Sequence, residues 1–418
     1  MTRATKNFDV RIVGGGMVGL PLSLALSRGG LSTLVVDAAE PARTLVPEFD
    51  GRASAIAAAS AKMLVALGLW PDLEPHAQPI NDILISDGRV HDRFRSGGAS
   101  PFVLHFDPED LNPPTAPLGF LIENRHVRQA LLRRLDRCDH HTMRAPATVT
   151  ALEWQDSVVS ARLHDGDTVS AALCIGADGK GSQIRALAGL TSYGWRYSQD
   201  AIVTTVEHDR DHGGLAHEYF LPSGPFAILP LTGKRSSSVW PVTRPRASAS
   251  MQLPDALFTD ELASRFGDHL GRVKPFGPRF RYPLALQFAP DYARPRLALI
   301  GDAAHVIHPI AGQGLNMGLR DIAALAEVLT DAKRLGLDIG ALDVLRRYQQ
   351  WRRFDNVTLG VVTDTLNRLF ANDFPPIRLA RGLGLGAVGL SRPLRQFFMR
   401  HAMGQVGELP RLLKGELP

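Results

Sequence analysis

Cysteine is almost missing: Cys138 and Cys174 are the only two in 418 residues. That excludes a disulfide framework, and Cys174 lies in an apolar run that reads as a buried strand, which favours a reducing compartment. No run approaches the roughly 18 apolar residues that cross a bilayer as a helix. Repeats and low-complexity tracts are absent. No His, Cys or Asp cluster shows metal-ligand spacing, so no metal is expected. No recognition motif for nucleic acid accompanies the modest net charge of +5. Residues 12–26, after Arg3, Lys6 and Arg11, mimic a signal peptide, but a glycine loop occupies the same stretch. A hydrophobic content of 44% and a mean hydropathy of −0.05 describe a soluble globular chain. Its length suffices for two or three packed units.

What the chain does have is three strand-to-loop motifs. In the first, strand-like Phe8–Val13 runs into Gly14-Gly-Gly16-Met-Val-Gly19, a helix follows, and Ser32–Val36 ends on Asp37. This is the strand, GxGxxG loop, helix, strand, acid order of a dinucleotide-binding unit. Gly14 permits the tight turn, Gly16 lets backbone approach a pyrophosphate, and Gly19 lets helix and strand pack. The Asp37 carboxylate can accept from ribose hydroxyls. Pro21 removes one helical hydrogen bond, but near the helix start this costs little. A second GxGxxG, Gly384 to Gly389, has no strand before it and Pro393 soon after, and reads as a flexible helical connection. With one credible unit, any nicotinamide docks elsewhere and transiently.

The second motif runs from Cys174 to Arg185, with Asp178-Gly179 at the strand end and Ser182 and Arg185 beyond. By itself it is an Asp-Gly turn before an N-capped helix. The third spans Leu299 to Asp321. An apolar run ends in Gly301-Asp302, Gly312-Gln-Gly314 follows, and Leu315, Leu319, Ile322, Leu325, Ala326 and Leu329 mark one helix face. A strand thus delivers a carboxylate to its tip while a helix N-terminus points back at it. That suits a ligand with sugar hydroxyls and an electron-rich edge. A flavin has both, in its ribityl chain and its N1–C2=O edge.

Taken in order, GxGxxG, GADGxxSxxR and GDAAH…P…GQGxN resemble the FAD-dependent aromatic hydroxylases typified by para-hydroxybenzoate hydroxylase. More narrowly, His308 to Asp321 is similar to the signature of the ubiquinone-biosynthesis hydroxylases. So are Asp50–Ser54, Glu123–Arg125, Gly224–Pro230 and Phe398–Gly404. Two departures stand out: Asp37 replaces a usual Glu, and residues 190–285 match more loosely. The resemblance implies non-covalent FAD, NADPH or NADH as a transient donor, and O2. Hydride would reach flavin N5, O2 would add at C4a, and the hydroperoxide would pass OH to an electron-rich ring carbon. The substrate implied is a polyprenylated phenol. Other ubiquinone-biosynthesis proteins are implied partners.

The expected fold is α/β. A Rossmann-like FAD-binding domain (residues 1–75, 110–190 and 286–335) interleaves with a mainly β substrate domain (76–109 and 191–285), and C-terminal helices occupy 336–418. Strands are expected at Ala201–Val206 and Ser236–Trp240, with turns at Pro222-Ser-Gly224 and Pro225. N–H groups of Gly314, Leu315 and Asn316, with the helix dipole, would stabilise charge at N1–C2=O, and Gly312 shapes the loop. By resemblance Pro309 lines the ring, and Arg52 and Arg125 contact pyrophosphate or ribityl oxygens. Asp178 orders the loop beneath the cofactor. His305 and His308 read as structural, no residue declares itself the catalytic base, and the flavin carries the chemistry. Tyr219, Phe220, Phe226 and Leu229 either line the substrate channel or are core strand residues.

From Pro375 to Pro418 seven Lys and Arg face two Glu, a balance of +5 that equals the whole chain's. Apolar residues interleave with them, as in a basic interfacial segment, so peripheral attachment at the cytoplasmic face of a membrane is expected. Rival readings are an isoprenoid reductase of the same fold, a halogenase, and an FAD-stabilised scaffold without turnover. Gly194-Trp-Arg-Tyr-Ser198 lacks the Trp-x-Trp-x-Ile-Pro pattern of flavin halogenases.

Overall fold

Strand Asn7–Val13 is the centre of the architecture, and Val10 and Ile12 on it are fully buried. In the computed structural model it is flanked on both sides by parallel partners, which is why it reads as a continuous apolar run. The structure describes residues 7–46, 50–88, 103–111, 113–114, 117–221, 223–371 and 374–418. Arg3, Lys6, residues 89–102, Pro222 and the side chains of Ile377, Arg378 and Leu379 lie outside that description.

The parallel order is Leu297–Leu299, Thr168–Gly176, Asn7–Val13, Thr33–Val36 and His141–Arg144. A hairpin, Val149–Trp154 with Val159–Leu163, attaches antiparallel to Thr168–Gly176. Helices Gly19–Arg28, Asn124–Leu135 and Gln313–Arg334 supply much of the surrounding core. Pro21 stands in the first turn of the first of these, where no intrahelical N–H is required.

A second sheet of eight strands begins at His305–Val306. It continues through Val273–Phe288, Tyr193–His208, Arg235–Thr243, Gly224–Leu231, Leu215–Leu221 and Asp82–Asp87 to Val103–Phe106. Neighbours are antiparallel except Leu215–Leu221 with Asp82–Asp87. The 285/286 division drawn from sequence falls inside the strand Val273–Phe288, whose end pairs with the loop after Asp302 through Gln287 and Val306.

Alternation gives this sheet two different faces. Tyr219, Leu221, Phe226, Ile228 and Trp240 pack against helix Asp255–Phe266. Ala216, Leu229 and Leu231 point the other way, toward Ala53 and Ala55 of a small three-stranded sheet. That sheet orders Ala53–Ala57, Gly119–Glu123 and Gln78–Ile80. The C-terminal part is helical over Leu342–Phe370, Pro375–Leu390, Arg392–Ala402 and Arg411–Lys414. The second GxGxxG lies inside Pro375–Leu390, with no strand before it.

Candidate active site

Parallel strand order brings the tips of all three motifs to one edge of the first sheet, the crevice where open α/β sheets take ligands. A Cβ on Gly14, at φ +107°, would lie 2.3 Å from the carbonyl oxygen of Ala177. The Ile300 N–H donates to the Gly176 carbonyl at 3.0 Å. Arg185 stitches motif to motif, donating to the carbonyls of Ala303 at 2.7 Å and Lys180 at 3.0 Å. Three stretches distant in sequence thus form one floor.

The glycines separate by role. A Cβ on Gly19 would meet the Gly14 carbonyl oxygen at 1.8 Å, so this glycine serves packing. A Cβ on Gly16 or Gly314 would meet nothing within 4 Å, so both backbones face open space. Those are the places where a pyrophosphate and a flavin edge would lie. Gly312 is left-handed, φ +63°, and caps helix Gln313–Arg334. Helix geometry leaves the N–H groups of Gly314 and Leu315 without an acceptor inside the helix.

The side chain of Asn316 braces the cleft wall. Its amide donates to Ala55 at 2.7 Å and accepts from the Ala57 N–H at 2.9 Å, binding strand Ala53–Ala57 to the helix start. This side-chain role is separate from the backbone N–H that the sequence places toward the flavin.

Asp302 sits at the cleft floor. Its side chain reaches solvent although protein crowds around it, and that burial pushes its carboxyl above the ordinary range, against the pull of His305, Arg52 and Lys180. Asp37 accepts from the N–H groups of Gly15 and, at 2.7 Å, Ala39, which leaves carboxylate lone pairs for a ribose. Asp178 accepts from Ser182 Oγ at 2.5 Å and Ile184 N–H at 3.0 Å, capping helix Gln183–Leu187 and stiffening the floor.

Arg52 and Arg125 emerge at the same end of the small sheet, where Ala53 pairs with Glu123. Asp50 orients Arg52 through contacts of 2.8 and 3.0 Å and also accepts from Asn124 and Arg128. Burial opposes charge on Asp50, but these donors, Arg52 foremost, hold its carboxyl well below the usual range. Arg125 donates to Glu123 at 3.1 Å, and its Nε is buried without a partner. Both guanidiniums still reach solvent, Arg52 with half its side chain.

The two motif histidines differ. His305 Nε2 lies 2.5 Å from Asp321, which also accepts from the Gly301 N–H, Arg352 and Asn356. This buried network ties the Asp302 loop to two helices, a structural role. His308 is fully buried, neither ring nitrogen has a partner, and burial pushes it down to about 4. Pro309 follows it at the mouth of the helix, half-buried.

The substrate-side residues split by strand parity. Tyr219 and Phe226 face the helices on the far side of the second sheet, so their place in the channel is corrected to core. Phe220 and Leu229 face the cleft side. Phe220 stacks on Phe370 at 3.8 Å between centroids, and Leu229 packs with Ala53 and Ala55. The sequence reading missed Glu218, buried on that same side. The alternation that separates it from Tyr219 was legible; which face met the cleft was not.

Open glycine backbones at Gly16 and Gly314, an exposed carboxylate in a crowded recess and flanking arginines fit FAD. The family described as FAD binding domain matches residues 7–352. "Ubiquinone hydroxylase UbiL" of Rhodospirillum rubrum is 50% identical over 99% of this chain and 94% of its own length. "3-demethoxyubiquinol 3-hydroxylase" of Escherichia coli is 36% identical over 95% and 98%. The crystal structure of p-nitrophenol 4-monooxygenase PnpA from Pseudomonas putida shares the fold, with TM-score 0.79 and 21% identity over 97% of this chain and all of that one. The family match and the two sequence relatives make the chain an FAD-dependent monooxygenase. Within that class the chain belongs to the ubiquinone-biosynthesis hydroxylase family.

Proposed function

We propose that this protein hydroxylates the ring of a polyprenylated phenol on the route to ubiquinone. The observation that carries the reading is the cleft itself. One wall has a carboxylate, open glycine backbone and a helix N-terminus; the other is the apolar inner face of the second sheet. Oxygen-transfer chemistry would come from FAD, with NAD(P)H as electron source and O2 as oxygen source.

The chain's own residues then have distinct tasks. Gly16 and Asp37 hold the adenosine and pyrophosphate end, on a turn whose close packing Gly14 and Gly19 permit. Asp302 accepts from ribityl hydroxyls, and Arg52 and Arg125 answer the anionic oxygens. The N–H groups of Gly314, Leu315 and Asn316, with the helix dipole, favour negative charge at the ring edge. Pro309 and the buried His308 keep that region dry. Phe220 and Leu229 present an apolar surface to the substrate.

The tail of such a substrate resides in lipid, so a collecting surface is required. No helix among the described residues is long and apolar enough to cross a membrane. Leu383, Leu390, Leu394, Phe397 and Phe398 are exposed on helices Pro375–Leu390 and Arg392–Ala402, while Leu385, Val388, Met399 and Met403 pack inward. We assign the outer face to peripheral docking at the cytoplasmic membrane surface.

The deciding experiment supplies a prenylated phenol, NADPH and labelled O2. The product should carry one new hydroxyl whose oxygen comes from O2. Label arriving from water, or product formed without O2, would overturn the reading.

A further inference from the structure

Glu218 is buried, 8% exposed, and among the described residues its carboxyl has no hydrogen-bond partner. An isolated buried carboxylate is expensive, and one left without a partner in the folded chain needs a reason. Its position supplies one. Glu218 pairs with Ala227 on one neighbouring strand and with Ile85 on the other. Parity puts it on the face that carries Ala216, Phe220 and Leu229, opposite Tyr219 and Leu221. Ala216 and Ala227 are small, while Ile85, Phe220 and Leu229 give the carboxyl apolar neighbours that cannot answer it.

The same face carries a second orphan. Ser237, opposite Leu229 on strand Arg235–Thr243, is buried and its hydroxyl has no partner. Two unanswered polar groups therefore stand on a largely apolar wall that looks toward Ala53, Ala55 and the start of helix Gln313–Arg334. The charged groups on that side are closed on partners of their own: Asp87 with Arg381, Arg235 with Glu123, and Arg52 with Asp50. His217 and Tyr219, beside Glu218 in sequence, bond to each other on the opposite face. A group that brings its own polar atom to Glu218 from the cleft is what the wall lacks.

We propose that Glu218 contacts a ring oxygen of the aromatic substrate and takes its phenolic proton, with Ser237 as a second polar contact. This rests on the hydroxylase reading above. In the step, the substrate O–H bond breaks, an O–H bond forms on the carboxylate, and the electron pair stays on the ring oxygen. The phenolate so formed is richer in electrons at the carbons ortho and para to that oxygen, where an electrophilic oxygen attacks. Burial alone pushes the Glu218 carboxyl up to about 8. That lies much closer to a phenol, near 10, than an ordinary Glu does, which suits proton exchange between them. Below that pH the neutral acid still donates to the ring oxygen; above it the carboxylate accepts.

The test uses FAD-loaded protein, a phenol bearing one prenyl chain, and the methyl ether of that phenol. Affinity is read from the change in flavin absorbance and turnover from product per NADPH, from about pH 6 to pH 9.5. Parent protein should prefer the phenol to its ether, and product formation should rise with pH around a midpoint near 8. Glu218→Gln should keep FAD, lose the rise, and form product about a hundredfold more slowly at the upper end. Glu218→Leu should bind phenol and ether equally. Equal affinity for phenol and ether in the parent overturns the proposal, as does a Gln variant with the parent's pH profile and rates within about twofold. Absence of product in the parent, with the phenol preference present and lost in Glu218→Leu, overturns the hydroxylase reading and leaves the contact standing.

Discussion

Neighbouring glycines in one loop answer to different forces. Gly19 has no room for a methyl group because the Gly14 carbonyl occupies the place, whereas Gly16 faces open space. Gly19→Ala should therefore lower the melting temperature steeply, since backbone must move. Gly16→Val should melt as the parent apoprotein does yet fail to take up FAD. Asp302→Ala belongs with it: losing a hydrogen bond to a charged acceptor costs about 1.5–3 kcal/mol, or roughly ten- to a hundredfold in affinity. Titration with FAD followed by fluorescence checks both variants. Unaltered FAD affinity in either would show that the cofactor lies elsewhere.

At the scale of elements, the cleft depends on a buried polar knot. Asp321 receives His305, Arg352, Asn356 and the Gly301 N–H, and so locks the Asp302 loop against helices Gln313–Arg334 and Leu342–Phe370. Removing one member strands a buried charge, so Asp321→Ala should destabilise by about 3–5 kcal/mol. Burial resists charge on Asp321, but His305 and Arg352 hold its carboxyl well below its ordinary 3.8. A lowered folded value means this stability is present above the unfolded value and is lost as pH falls below it. Acid unfolding below about pH 4 should accordingly be shallower in Asp321→Asn than in the parent. Identical acid profiles would remove the knot from the account. The Asn316 side chain does similar work for strand Ala53–Ala57.

At the scale of the whole molecule, the basic tail changes meaning. Arg381 is buried against Asp87, Arg395 is held by Asp110 at 2.8 Å, and Arg411 is bound by Asp331 and Glu327. Charges already answered inside the chain attract an anionic surface weakly, so the exposed apolar face must carry more of the docking. Co-flotation with liposomes should persist in part at high salt, and should fall when Leu390, Leu394, Phe397 and Phe398 become Ser together. Replacing Arg395 instead should loosen the helix from Asp110 and lower the melting temperature. Flotation unaffected by the four apolar substitutions would end the docking proposal.

Much of the fold and of the cofactor end was legible before any coordinates. Local order was enough for the first motif, because strand, glycine loop, helix, strand and acid follow one another within 31 residues, from Asn7 to Asp37. The helix at Gln313 was legible from its period, and the capping of Asp178 and Ser182 from their spacing. What only the tertiary structure decided concerns faces and partners. Parallel pairing set the three strand tips side by side, a matter of register between distant segments. Sheet packing chose which parity of Leu215–Leu221 meets the cleft, sending Tyr219 into the core and Glu218 to the substrate side. Ion pairing across the chain decided which C-terminal arginines are held by carboxylates distant in sequence. Period and spacing act along the chain; which side of a strand is buried, and which charge is answered, depend on residues that only folding brings near.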